Sequence, residues 1–177
     1  MKIILASKSG VRKKILETNK VNCVVVPSNV DEEQVKNSLL AVGANPMLIS
    51  KNLAELKSTK VSKAYPDQLV LGADSVISLN NELINKPSTR DEGLKILEKL
   101  NGSWHYLITS VCISKNGAMV WNFTDQSKLK MKKLTKKELT DYLKKIETKI
   151  LLSYGVYQIE AGGLELFDIV DGDRDSI

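Results

Sequence analysis

Acids and cations standing at the ends of apolar runs are the residues of this chain best placed to do chemistry. In Leu71-Gly72-Ala73-Asp74-Ser75-Val76-Ile77 a carboxylate interrupts a run that otherwise reads as buried strand. An isolated buried charge is too costly to keep, so Asp74 must be paired, hold a cation or open onto a cleft. Gly72 and Ala73 supply almost no bulk and let a ligand or metal come close to the backbone. The segment alone reads equally well as a strand-end acid satisfied by a neighbouring turn. Two further acids, Glu32 and Glu160, and three cations, Arg12, Lys57 and Lys86, occupy similar strand or helix ends. Together they would suit a polyphosphate with a divalent metal: the cations neutralise phosphate oxygens while a carboxylate holds the metal and orients a water. An Asp with an ordinary pKa of roughly 3.9 is ionised at neutral pH yet a weak base in bulk water. It needs a metal-bound or well-positioned water to be effective.

The elements that must position these groups are legible in order. Ile3-Ile4-Leu5-Ala6 suits a buried strand, Ser7 to Gly10 a turn, and the pattern from Val11 a helix with Ser9 as N-cap. A helix start carrying Arg12 attracts anions through its free N–H groups, its dipole and the guanidinium. In isolation the same segment reads as a capped helix with a solvated basic face. Cys23 to Val26 is a second strand, and Asp31-Glu32-Glu33 opens a helix, which the dipole favours without any function. Those acids could equally supply an oxygen ligand for a cation. Asn45-Pro46 ends that helix, and Met47 to Ala64 forms another, with Ile49, Leu53, Leu56 and Lys60/Val61 as inner stripe and Lys57 on its border.

Asn80-Asn81 predicts a hairpin turn that returns Glu82-Leu83-Ile84 against the Asp74 strand and brings Lys86 to the end of the returning strand. Thr89 to Glu92 and Thr135 to Glu138 resemble capping boxes, each opening a helix. Trp104 to Ser114 and Ala118 to Met131 read as strands joined at Asn116-Gly117, and Gly155 to Glu160 and Leu164 to Val170 as two more. Helices alternating with both hairpins and crossover strands indicate an α/β domain with a mixed sheet.

With 177 residues, 42% hydrophobic and 27% charged, the chain fits one domain able to bury a core without staples. No apolar run reaches the length of a membrane span, and the opening Met1 to Ala6 is too short for a signal peptide, so a cytoplasmic protein is expected. Cys23 and Cys112 lie far apart, with no CxxC and no histidine cluster, which argues against a zinc site or a disulfide framework. The net charge of +5 permits an anionic partner, but much of the excess lies between Lys128 and Lys149, in the pattern of a solvated helix face. That face offers few aromatics on which bases could stack, so nucleic-acid binding is not expected. His105 begins a strand, where packing and hydrogen bonding are its expected roles.

The ordered motifs resemble the Maf family of nucleoside triphosphate pyrophosphatases. The family's opening Ile-Leu-Ala-Ser, with its following Arg, is matched by Ile4-Leu5-Ala6-Ser7 and Arg12, its Asp-Glu by Asp31-Glu32, and its Leu-Ala-x-x-Lys by Leu53 to Lys57. Gly72-Ala73-Asp74-Ser75-Val76 matches Gly-Ala-Asp-Thr-Val, Lys86-Pro87 matches Lys-Pro, and Leu100 through His105 to Thr109 matches Leu-Ser-Gly-x-x-His-x-x-x-Thr. The resemblance implies a single domain over residues 1–177 with an elongated mixed β-sheet flanked by helices, its two lobes around a central cleft. It implies hydrolysis of a nucleoside triphosphate between the α- and β-phosphates, with Asp74 as proton acceptor and Glu32 and Asp74 holding Mg²⁺ or Mn²⁺. Ser7, Arg12, Glu32, Lys57 and Lys86 would bind the substrate, and a homodimer is expected.

Some positions depart from the pattern. Gly10-Val11 replaces Pro-Arg, Ser75 replaces the Thr of the dTTP/UTP branch, and Glu160 replaces its Gln. A Glu there resembles the branch acting on 7-methyl-GTP, so Arg12, Ser75 and Glu160 are the expected specificity positions. The chain stops at Ser176-Ile177, ahead of the family's Gly-Leu-Pro segment, and a short C-terminal tail is expected. The alternative is a non-catalytic nucleotide-binding or division-regulating protein.

Overall fold

A computed structural model describes residues 3–159, 162–173 and 175–176 of the chain. Its elements run β1 (Ile3–Leu5), α1 (Gly10–Thr18), β2 (Cys23–Val25), α2 (Glu32–Ala41), α3 (Pro46–Ser62), β3 (Val70–Leu79) and β4 (Glu82–Ile84). There follow α4 (Arg90–Leu100), β5 (Trp104–Lys115), β6 (Ala118–Met131), α5 (Lys136–Lys145), α6 (Thr148–Tyr154) and β7 (Phe167–Asp171). The strands form one mixed sheet in the order β2-β1-β3-β5-β6-β7, with β4 paired to β3. The α/β class read from the sequence is therefore the one observed. No described helix is long and apolar enough to cross a membrane.

Cα packing divides the chain into two compact units, residues 1–75 with 108–125 and residues 76–107 with 126–177. In the first, β1 runs parallel to β2 and β3, pairing Ile4 with Val24 and Val70. Ile4, Ala6, Val61 and Val70 form a core against which Val26 and Tyr65 pack. In the second, β4 pairs antiparallel with β3, Ile84 opposite Ile77, and β7 antiparallel with β6, Val170 opposite Leu129. Its core is larger and includes Leu97, Leu100, Leu129, Met131, Leu143, Leu151 and Phe167.

Local chemistry explains most boundaries. The Asn80-Asn81 turn places both residues at φ 51° and 65°, and Asn116-Gly117 sits at 52° and 78°, the left-handed conformations that a tight hairpin requires. At Thr135 the reciprocal capping box forms, with Glu138 answering the Thr135 backbone. At Thr89 only half of it forms: the Thr hydroxyl caps Glu92, whose carboxylate turns instead to the backbone and hydroxyl of Ser88. These bonds hold the Glu92 carboxyl below its ordinary range.

Two expectations are corrected. Residues 155–159 form no strand; α6 ends at Gly155, whose φ of 105° suits only glycine. Leu164 begins no strand either, because a 3₁₀ turn over Gly163–Leu166 precedes β7.

Candidate active site

Helix α3 lies directly on β3 because the residues between them are small. A Cβ on Gly72 would stand 2.3 Å from the Ala54 carbonyl oxygen and 2.7 Å from the Ser58 nitrogen, so only glycine admits this approach. The buried face of the helix is Ile49, Ser50, Leu53, Ala54, Lys57, Ser58 and Val61, whereas Leu56, expected on the inner stripe, is exposed. The serines are bonded across the gap. Ser50 donates to the Asp74 carbonyl at 3.0 Å, and the Ser58 and Ser114 hydroxyls meet at 2.7 Å.

This packing sets Lys57 against Asp74. The ammonium donates to Asp74 Oδ1 at 2.7 Å, with both residues only 5% exposed, and it reaches Glu32 Oε1, in the first turn of α2, also at 2.7 Å. One cation thus serves two carboxylates, and the group is net negative. Asp74 Oδ2 is buried and has no hydrogen-bond partner among the described residues. A buried carboxylate oxygen left without a donor is expensive in a purely structural ion pair. It is the natural place for a ligand that the protein must receive.

A second group lies beside it on β1, α1 and β3. The Ser9 hydroxyl caps α1 at the Arg12 nitrogen, and Ser7 Oγ accepts from the Ser9 nitrogen at 3.1 Å. Arg12 reaches across to β3: Nη1 donates to the Ala73 carbonyl at 2.8 Å and to Ser7 Oγ at 3.4 Å, while Nη2 donates to Ser75 Oγ at 3.2 Å. Thr109, on β5, donates to the same Ser75 oxygen at 2.9 Å. Ser7, Arg12, Glu32, Lys57, Asp74 and Ser75 are therefore gathered in one unit by two adjoining networks.

Lys86 is exposed in the loop between β4 and α4 and belongs to the other unit. Glu160 lies outside the described residues. From the sequence Ser50 is not legible as a site residue, and Thr109 only as the end of a motif. Ser50 carries no signal beyond its helical spacing from Ala54 and Lys57; Thr109 was visible as a hydroxyl on a strand predicted to pair within the sheet.

His105 is fully buried and takes the packing role expected of it, its Nε2 3.0 Å from the Tyr157 hydroxyl and its ring beside Phe167. Burial pushes its pKa down to about 4, opposed in part by the Ser103 backbone, so the ring is neutral at physiological pH.

Known proteins resemble this chain over most of its length. The Maf-like protein family model matches residues 2–177. A protein of Pelagibacter ubique named nucleoside triphosphate pyrophosphatase is 57% identical over 99% of this chain and 90% of its own length. A protein of Ruegeria pomeroyi with the same name is 36% identical over 97% of this chain and 86% of its own. One of Rhizobium etli, named 7-methyl-GTP pyrophosphatase, is 31% identical over 97% and 86%. A solved structure of the Staphylococcus aureus Ham1 protein superposes with a TM-score of 0.47 at 16% identity, covering 74% of this chain and 72% of that one. With a family model spanning almost its whole length, the chain belongs to the Maf-like protein family.

Proposed function

We propose that this chain is a nucleoside triphosphate pyrophosphatase, a hydrolase that adds water across the α–β phosphoanhydride to give a nucleoside monophosphate and pyrophosphate. The observation that carries the reading is the buried Lys57–Asp74 pair with its unpartnered Oδ2. Lys57 holds Oδ1 and fixes the carboxylate plane, leaving Oδ2 to accept the proton of the attacking water. The low-dielectric surroundings keep that proton transfer directed. Lys57 also places positive charge where phosphate oxygens would arrive, and Ser7 and Arg12 supply further donors. Lys86 and Glu160 complete the proposed substrate contacts, Glu160 on the base with Arg12 and Ser75.

The donor set fits a divalent cation. Asp74 and Glu32 would hold Mg²⁺ or Mn²⁺, which when bound neutralises phosphate charge and acidifies a coordinated water. Among the described residues no group of three or more His, Cys, Asp or Glu is placed to hold a metal. Two carboxylates are what a Mg²⁺ site of this class needs, because the ion keeps several waters and takes its remaining ligands from substrate phosphates.

The substrates proposed are modified, non-standard or pyrimidine nucleotides, and the family expectation of a cytoplasmic homodimer is kept with them. The test is pyrophosphate release from a panel including dTTP, UTP, CTP and 7-methyl-GTP, with Mg²⁺ and with chelator. Release from at least one nucleotide, abolished by chelator, is expected. Tight binding of a nucleotide with no pyrophosphate from any of them would replace catalysis by a binding or division-regulating role.

A further inference from the structure

One ammonium lies between two carboxylates: Lys57 Nζ is 2.7 Å from Glu32 Oε1 and 2.7 Å from Asp74 Oδ1. The acids assigned to a divalent ion are therefore already joined by a cation of the chain's own. Asp74 is buried on β3, whereas Glu32, in the first turn of α2, is partly exposed. Without a cation between them the two acids would repel, and the buried one would lose the partner that offsets its desolvation. An ion of the Mg²⁺ class bonds oxygen at about 2.0–2.1 Å, and a like charge hydrogen-bonded to the same carboxylates opposes it strongly in a low dielectric. The ammonium and the ion contend for one place. Lys57 has another use for its donors, because three N–H groups suit phosphate oxygens as well as carboxylates.

We propose that Lys57 is a placeholder for the divalent ion: its ammonium holds Glu32 and Asp74 together, yields Glu32 to the ion, and turns the released N–H to a phosphate oxygen. Asp74 Oδ1 stays with Lys57 through the exchange, and the unpartnered Oδ2 is the oxygen left for the ion to approach. Binding of the ion to the chain alone must break the Lys57–Glu32 bond without giving the ammonium a new partner, so it is weak. A polyphosphate supplies that partner, so ion and substrate bind in cooperation, each strengthening the other by the same factor. A purely positioning role for Lys57 predicts the opposite sign. In that case removing Lys57 would loosen the Asp74 carboxylate and weaken the ion.

The inference rests on the reading that Glu32 and Asp74 hold the ion for a nucleoside triphosphate, and ion binding tests it without requiring turnover. Mn²⁺ alone is the probe, its free concentration read by electron paramagnetic resonance as it is titrated into the wild-type chain and its variants. Lys57→Met should tighten Mn²⁺ about tenfold, within the usual range of coupling between bound groups. Lys57→Gln, which keeps an N–H for Asp74 and loses the charge, should tighten it as well and decides the matter if the methionine variant fails to fold. Lys60, on the same helix, donates instead to the Asn29 carbonyl, so Lys60→Met should leave the affinity unchanged. Asp74→Asn should abolish the binding. Affinity unchanged or weakened in the Lys57 variants overturns the proposal, and so does equal tightening in Lys60→Met, which would reduce the effect to general charge. In both cases the ion still binds, and the reading of the site stands. Mn²⁺ bound by Asp74→Asn as by the wild type, or by no chain at all, would remove the placeholder and the metal reading together. Pyrophosphate release is measured separately: tightening as stated in a chain releasing none would remove the catalytic reading and leave the placeholder standing.

Discussion

The Lys57–Asp74–Glu32 group of the first unit and the His105–Tyr157–Phe167 group of the second both bury titratable side chains, but the first joins an ammonium to carboxylates and the second joins rings. In the first, opposite charges lie 2.7 Å apart and offset each other's desolvation. In the second the surroundings are a phenol, an aromatic ring and the Ser103 backbone, none of them charged, so burial drives histidine to its neutral form and raises the Tyr157 pKa. His105 Nε2 and the Tyr157 hydroxyl pair with each other, while His105 Nδ1 is buried with no side-chain hydrogen-bond partner among the described residues. The charged group likewise retains a buried atom without a partner, but there it is a carboxylate oxygen beside an ammonium. Buried polar groups, and buried atoms without a partner, are thus common to both units; what marks the candidate active site is an acid and a base paired in its interior.

The sharpest way to break that comparison is to remove the charge and keep the shape. Asp74→Asn preserves volume and an oxygen for Lys57 but removes the proton acceptor. Pyrophosphate release should fall by about 10²- to 10⁴-fold, the range of a lost general base, with an unchanged circular dichroism spectrum. Turnover equal to wild type would end the proposed role of Asp74. Lys57→Met tests the other side of the pair. It leaves a carboxylate of 5% exposure without its cation and should cost about 3–5 kcal/mol in urea unfolding. A loss below about 1 kcal/mol would show that the pair behaves as an exposed one does.

How far the sequence reveals such a group depends on what surrounds it. Asp74 stood out because an acid inside an apolar strand is rare, and Asn80-Asn81 and Asn116-Gly117 announced their turns because few residues tolerate positive φ. The burial of Lys57 was harder to see. Apolar periodicity chose Leu56 for the inside of α3, but the helix packs through Ser50, Ala54 and Ser58, small residues that a hydropathy pattern discounts. That choice is made by Gly72, on another element, so no reading of α3 alone could find it. The chain near Gly155 misled for a different reason. Val156-Tyr157-Gln158-Ile159 has a strand's composition, yet Val156 and Tyr157 are buried in the core of the second unit without joining the sheet. The helix before them, Thr148–Tyr154, has no side-chain cap to announce it.

The neutral cluster yields a pH dependence of its own. The His105 pKa is about 4 when folded and near its ordinary 6.5 when unfolded, so between these values the unfolded chain binds the extra proton. The stability contributed is fully present above about pH 6.5 and is lost as the pH falls toward 4, at most about 3 kcal/mol. Urea unfolding across that window should show the decline, and His105→Gln should flatten it even if the substitution lowers stability at every pH. A slope unaltered by His105→Gln would assign the acid sensitivity to other groups.

The smallest expected effect addresses how the charged group is held. Gly72→Ala adds a single carbon, but its nearest neighbours, at 2.3 and 2.7 Å, are backbone atoms of α3 that cannot rotate aside. The helix must move as a body away from β3, at about 1–3 kcal/mol for an overpacked site. Lys57 rides on that helix while Asp74 stays on the strand, so the 2.7 Å contact lengthens with it. Melting temperature and pyrophosphate release should therefore fall together. Gly10→Ala is the control for stability, because a Cβ there meets nothing within 4 Å and alanine suits a helix better than glycine. If Gly72→Ala melted as Gly10→Ala does, α3 would be free to shift on the sheet, and the close packing of small residues could not be what holds Lys57 against Asp74.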